Sequence, residues 1–155
     1  MTRINIIDPS LLLDSHLLAE LREITRIPNA IISGKAKIDF KAIPERYTLG
    51  RGHVIFWYDK LGYIRARYEQ LYKEAKKRGF NVTYKDIDYS QLSAIHQVAL
   101  MNDYIPTKEA QLLNIERICE RFDLRKKTYS FHGVIINDEY SFNRYLKILE
   151  NKLAL

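Results

Sequence analysis

The sequence predicts an all-α fold built as a single domain over residues 1–155. Two observations carry this. Apolar residues recur at helical spacing in four stretches, 14–26, 59–78, 107–124 and 137–153. Capping residues and glycine stops bracket several of them, and no internal repeat, low-complexity tract or flexible linker divides the chain. A length of 155 residues is enough to bury one real core.

In chain order, residues 3–8 read as an extended segment, and Asp8-Pro9 suits the start of a helical turn, since proline is tolerated at the first helical position. On a helical wheel over 14–26, Leu13, Leu17, Leu18, Leu21 and Ile24 form one stripe. Pro28 should kink or end this helix, and Ser33-Gly34 is a stop signal. Residues 35–52 read as a surface connection in which Gly50 and Gly52 serve turns; a third glycine needed for a dinucleotide fingerprint is absent. The run 53–58 is too short to assign. Asp59 is expected to cap a helix to Arg78, with Leu61, Ile64, Tyr68, Leu71, Tyr72 and Ala75 inward and Gly79 as the stop. The segment 80–89 is compatible with strand or loop, and a modest helix is expected over 90–101. Thr107 caps the next helix to about Leu124, which carries Arg117 and Arg121 four apart on one face. An aromatic loop with Tyr129, Phe131 and His132 precedes Gly133, and the final helix presents Tyr145, Leu146, Leu149 and Leu153.

The chain is 46% hydrophobic and 28% charged, which is the balance of a globular protein. No apolar run is long enough to span a bilayer, and the N-terminus lacks a secretory layout. Cys119 is the only cysteine, so an intrachain disulfide and a cysteine-based zinc site are both excluded, and a reducing, cytoplasmic setting is expected. With 25 Lys+Arg against 19 Asp+Glu, the net charge of +6 suits a polyanionic partner through counterion release. Eleven tyrosines serve cores by default and stacking on bases as an alternative.

The polar side of the 14–26 helix holds Ser15, His16, Ala19, Arg22, Glu23 and Arg26. Alone, this is a solvated face with local ion pairs worth a few tenths of a kcal/mol. The N-terminus changes its meaning. Met1-Thr2-Arg3-Ile4-Asn5 is followed by His16-Leu17, Ala19-Glu20, Arg22-Glu23 and Arg26. Further on come Asp39-Phe40-Lys41, Leu49-Gly50, Gly52-His53-Val54, Tyr58-Asp59-Lys60-Leu61, Lys77-Arg78-Gly79-Phe80-Asn81, Asp103-Tyr104-Ile105-Pro106 and Arg117. In this order and spacing the chain, to about residue 133, resembles the phage-type endonuclease V family of pyrimidine-dimer DNA glycosylases with abasic-site lyase activity.

The resemblance implies three main helices with the N-terminal segment threaded between them. Residues 134–155 form a C-terminal extension beyond the family core, expected to add a helix. It implies Thr2 as nucleophile, through its α-amine once Met1 is removed, and Glu23 as the catalytic carboxylate. It implies DNA contacts at Arg3, His16, Arg22, Arg26, Arg117 and Arg121. It also implies a substrate of double-stranded DNA carrying cyclobutane dimers or abasic sites, handled by a monomer that needs neither metal nor cofactor.

The chemistry suits those residue types. An α-amine has a reference pKa of about 8, against about 10.4 for lysine, so roughly a tenth is neutral at pH 7. Neighbouring arginines disfavour its cation further. A neutral amine can attack the sugar C1′ and leave an imine. A carboxylate can stabilise the sugar's developing positive charge and then remove the C2′ proton. Guanidiniums hold phosphates with a fork geometry. A poorly stacked dimer invites bending and nucleotide extrusion.

Three departures stand out. Ser15 replaces the family's glutamine beside the helix histidine. Ile31-Ile32-Ser33 replaces a basic stretch. The aromatic loop keeps only part of its character in Thr128-Tyr129-Ser130-Phe131-His132. Lesion preference is therefore the property most open to change, with an oxidised or ring-opened base as the near alternative. A non-catalytic basic DNA-binding module is the reading from another class.

Overall fold

The computed structural model describes residues 3–154. A 3-10 turn at Pro9–Leu11 leads into α1 (Asp14–Glu23) and α2 (Arg26–Ile32), followed by α3 (His53–Phe56), α4 (Leu61–Lys77), α5 (Ala94–Leu100) and α6 (Lys108–Glu120). A hairpin of β1 (Tyr129–Phe131) and β2 (Val134–Ile136) then precedes α7 (Glu139–Ala154). The protein is mostly helical, as expected, and the hairpin is the departure from an all-α chain.

Proline chemistry breaks the first helix. Pro28 has no N–H to offer the Ile24 carbonyl, and Ile27 N–H reaches that oxygen only at 3.4 Å in a tighter turn. The run 14–26 is consequently two helices, with Glu23 the last residue of α1 and Arg26 the first of α2. The expected stop at Gly34 is present: φ is +78°, and Ala36 N–H closes back to the Ala30 carbonyl at 2.9 Å. Asp59 does not cap α4; its carboxylate accepts from Lys60 Nζ at 2.8 Å, and α4 starts without a side-chain cap. Thr107 does cap α6, its hydroxyl accepting from Ala110 N–H at 3.1 Å.

Residues 128–133, read from the sequence as a loop, form most of the hairpin. Tyr129 pairs with Ile136 and Phe131 with Val134, in antiparallel register. His132 and Gly133 both have positive φ, +49° and +79°, which a two-residue hairpin turn of this hand requires. The C-terminal extension docks on the body. Tyr145 and Leu149 are buried, the Tyr145 hydroxyl donates to the Leu11 carbonyl at 2.7 Å, and Phe142 stacks on Phe122 at 4.1 Å.

α1 packs on α4, and the N-terminal segment runs beneath them. Ile4, Ile6 and Ile7 belong to the same core as Leu17, Ile24, Trp57, Ile64 and Leu71. A buried extended strand with no neighbouring strand must satisfy its backbone elsewhere. Polar side chains from four places do this. Asn114 of α6 accepts from Ile6 N–H at 2.7 Å and Ile7 N–H at 3.3 Å, and donates to Asn5 Oδ1 at 2.8 Å. Arg67 of α4 donates to the Ile7 carbonyl at 2.6 Å, while Tyr47 and His53 serve Ile4. Asn5 also donates to Glu20 of α1 at 2.8 Å. The chain's beginning is thereby tied to α1, α3, α4 and α6 together.

Candidate active site

α1 presents its two glutamates to opposite environments. Glu20 faces inward, is buried, and pairs with Arg67. Glu23, three residues on, is turned outward and its side chain is 26% exposed. Arg26 approaches it at 3.9 Å, a loose contact from a side chain that is itself 60% exposed. Ala19, one turn before Glu23 in α1, is half-buried.

The N-terminal segment brings Arg3 to this face. Its guanidinium is half-buried, and its pKa is lowered first by burial and then by the cations of Arg117 and Arg121. Tyr47 and Glu23 act on it in the opposite sense. Arg3, Glu23, Arg117 and Arg121 therefore share one electrostatic neighbourhood, in which Glu23 faces several cations. Arg117 is largely buried, touches Glu120 at 3.9 Å, and has an Nε with no hydrogen-bond partner among the described residues. Arg121 is exposed. Three guanidiniums held near one another without full pairing attract an anion such as a phosphate.

His16 lies at the edge of this group. Burial, reinforced by Lys127 and Arg3, lowers its pKa to about 4, so the ring is neutral near pH 7. Its ring meets Tyr129 of β1 edge-on at 6.2 Å. A neutral imidazole can offer a phosphate one N–H but no charge.

Arg22 looks elsewhere. It is exposed and lines a groove of about 760 Å³ between α1, α2 and the segment 81–91, with Leu18, Thr25, Asn29, Tyr68 and Gln91. Glu23, Arg26 and Arg3 are not part of that lining. The expected face is thus split into a cationic centre around Glu23 and a separate groove beside Arg22. Thr2 lies outside the described residues.

The two carbocyclic rings of 128–133, Tyr129 and Phe131, are packed against the body, while His132 is exposed. Tyr129 is buried and stacks on Phe122 at 4.1 Å, and Phe131 packs against Tyr145 at 5.1 Å. The hairpin is pinned to the start of α1, where Asp14 accepts from Ser130 Oγ at 2.6 Å and Gly133 N–H at 3.1 Å.

The sequence reading missed the groups that hold the N-terminal segment: Glu20, Tyr47, His53, Arg67 and Asn114. A signal existed for two of them. Arg67 and Asn114 fall on the apolar stripes of their helices, between Ile64 and Leu71 and between Ala110 and Ile118, where an unpaired polar side chain would be costly.

Among the described residues no cluster of three or more His, Cys, Asp or Glu side chains is placed to hold a metal ion, and no helix is long and apolar enough to cross a membrane. The comparison with known families gives this cationic face its context. The family model described as pyrimidine dimer DNA glycosylase matches residues 1–88, which include Arg3, His16, Arg22, Glu23 and Arg26 as well as His53 and Arg67. With more than half of its length matched, the chain belongs to the pyrimidine dimer DNA glycosylase family.

Proposed function

We propose that the protein excises cyclobutane pyrimidine dimers through an imine with the Thr2 α-amine and then cleaves the strand by β-elimination. The family membership supplies the glycosylase activity and the dimer-containing DNA substrate. The observation that carries the finer reading is Arg3: it follows Thr2 directly, and its guanidinium lies in the electrostatic neighbourhood of Glu23, Arg117 and Arg121.

In this reading the neutral amine attacks the sugar C1′ at the damaged base. The N–C1′ bond forms as the glycosidic bond breaks, and the base leaves with the electron pair and takes a proton. Opening of the sugar, with the proton going to O4′, leaves the imine. Glu23 removes a C2′ proton, and the electron pair moves to form C2′=C3′ and expel the 3′ phosphate. Water then hydrolyses the imine and frees the amine. Arg3, Arg26, Arg117 and Arg121 hold the flanking phosphates, and His16 adds a neutral hydrogen bond. The groove beside Arg22 has room for an extruded nucleotide. The protein acts as one domain and as a monomer.

One observation favours a second reading, the same chemistry with a different preferred lesion. Tyr129, one aromatic side chain of the C-terminal hairpin, is buried and stacked on Phe122, so it is not available for contact with the dimer, and only the half-buried Phe131 and the exposed His132 remain.

A duplex with one defined dimer, incubated with the protein and borohydride, tests both. The expected result is a covalent adduct at the Thr2 amine, with Met1 absent by intact mass, and loss of the adduct when the amine is methylated. Glu23→Gln should bind DNA and lose both cleavage steps. An adduct on an abasic site and an oxidised base, without one on the dimer, favours the second reading. Intact DNA binding with no adduct on any of these duplexes overturns both and leaves a non-catalytic binding module.

A further inference from the structure

Ile4 is held by both of its backbone groups. Its N–H donates to His53 Nε2 at 2.9 Å, and its carbonyl accepts from the Tyr47 hydroxyl at 3.1 Å. The other nitrogen of His53, Nδ1, lies 2.8 Å from the Thr48 carbonyl oxygen. A carbonyl only accepts, so Nδ1 carries the proton; an amide N–H only donates, so Nε2 carries none. The geometry thus assigns one tautomer of a neutral imidazole. Residues 5–7 have separate partners in Asn114, Glu20 and Arg67, which leaves His53 and Tyr47 as the backbone anchors nearest to Arg3.

We propose that His53 is a positioning residue, a neutral hydrogen-bond acceptor that fixes the register of the N-terminal segment and so aims the terminal amine at the DNA sugar. This rests on the reading that the Thr2 amine is the nucleophile. His53 is buried at the start of α3, away from the exposed face, and acts through Ile4. A change in register of one ångström in a reacting group costs on the order of a hundredfold in rate.

The same bond makes the device sensitive to protons. A second proton on His53 would set an N–H against the Ile4 N–H and break the contact. The groups that face the ring are Arg3 from the N-terminal segment, Arg117 from α6, and Tyr47 with the Thr48 carbonyl from the preceding loop. Within α3 and its end the neighbour is Trp57, edge-on at 6.3 Å. Burial lowers the His53 pKa below the usual 6.5, and Arg3 and Arg117 add to this against the opposing Thr48 carbonyl. The acceptor is therefore intact at neutral pH and is lost below the range in which an ordinary histidine titrates.

The test uses the full chain, a duplex with one abasic site, and borohydride trapping under single-turnover conditions. His53→Phe keeps the ring's shape and removes both nitrogens; His53→Gln supplies a carbonyl acceptor that does not titrate. For His53→Phe the expected result is a trapping rate constant reduced by roughly 10- to 100-fold, with full adduct amplitude and DNA affinity unchanged. His53→Gln should recover most of the rate. Below the His53 titration the wild-type rate should fall with a slope of about two in log rate against pH, since amine and imidazole must both be free of the extra proton, while His53→Gln keeps a slope of about one.

A wild-type rate constant in His53→Phe overturns the proposal. So does a reduced amplitude with an unchanged rate constant, which marks a fraction of unfolded protein and a merely structural residue. If His53→Phe does not fold, the pH profile of His53→Gln decides alone, and a slope equal to that of the wild type overturns the proposal. Absence of any adduct in the wild type overturns the Thr2 reading and this proposal with it, whereas a wild-type adduct indifferent to His53 overturns this proposal only.

Discussion

Arg67 grips Glu20 with two hydrogen bonds, Nε to Oε2 at 2.9 Å and Nη2 to Oε1 at 3.3 Å, and each side chain is no more than 2% exposed. The same carboxylate takes Asn5 Nδ2, and the same guanidinium takes the Ile7 carbonyl, so the pair joins α1, α4 and the N-terminal segment. Removing one partner of a buried pair leaves an uncompensated charge and costs roughly 3–5 kcal/mol. Arg67→Met is expected to lower the unfolding free energy in urea by that amount, and Glu20→Ala comparably. Glu23→Gln, whose parent side chain is partly solvated, should stay within about 0.5 kcal/mol of wild type. Equal costs for the Glu20 and Glu23 variants would show that the two carboxylates have not been sorted into inner and outer positions.

That sorting marks the limit of what the sequence reveals. Helical spacing found the stripe of Leu17, Leu21, Ile24, Ile64 and Leu71, and the Thr107 cap and the stops at Gly34 and Gly79 have the geometry their residue types require. Spacing could not tell Glu20 from Glu23, because the difference lies in Arg67, which is 47 residues away in the chain. His53 was equally opaque: its role depends on Ile4 arriving as an acceptor-seeking N–H, 49 residues earlier. The hairpin was missed because three-residue strands carry almost no alternation to read. For the site, the polar face of the first helix was legible, but the separation of Arg22 from Glu23 depends on the path of the segment 81–91, which has no periodicity.

The cationic centre predicts how binding responds to salt. Each phosphate contact contributes about 0.9 to the slope of log affinity against log salt concentration on duplex DNA. Arg121→Ala and Arg117→Ala should each reduce that slope by about one, with little dependence on the sequence flanking the lesion. Lys73→Ala is the control, since Lys73 is exposed on α4 and occupied with Glu69 at 3.0 Å. Slopes measured by fluorescence anisotropy over a range of salt would check this, and an unchanged slope in both arginine variants would remove α6 from the DNA interface.

His16 should titrate far below an ordinary histidine. Burial is the largest cause, followed by Lys127 and Arg3, and together they bring its pKa from 6.5 to about 4. Because the folded value is depressed, the neutral ring's contribution to stability is full above about pH 6.5 and is lost as the pH falls towards about 4. NMR titration of the His16 ring resonances in the free protein should therefore show its midpoint near pH 4. Lys127→Ala should move that midpoint up only slightly, since burial remains. A midpoint near 6.5 would mean that the ring is solvated and that Tyr129 does not cover it.

The Ser130–Asp14 contact predicts how the C-terminal hairpin is held. Asp14 accepts from Ser130 Oγ at 2.6 Å and Gly133 N–H at 3.1 Å, and also pairs with Arg78 at 2.8 Å. Arg78 in turn donates to the carbonyls of Leu12, Pro9 and Ser10, so the hairpin, the start of α1 and the end of α4 share one set of charged hydrogen bonds. Ser130→Ala removes a single hydrogen bond to a charged acceptor, which costs roughly 1.5–3 kcal/mol. Asp14→Ala releases the hairpin and removes one of the two carboxylates paired with Arg78, Glu74 remaining at 3.1 Å, so the loss should exceed that of Ser130→Ala. Hydrogen exchange should localise the Ser130→Ala effect to residues 129–136, with the amides of Ile6 and Ile7 still protected because Asn114 holds them independently. Faster exchange at Ile6 and Ile7 in that variant would mean that the hairpin, and not α6, secures the N-terminal segment.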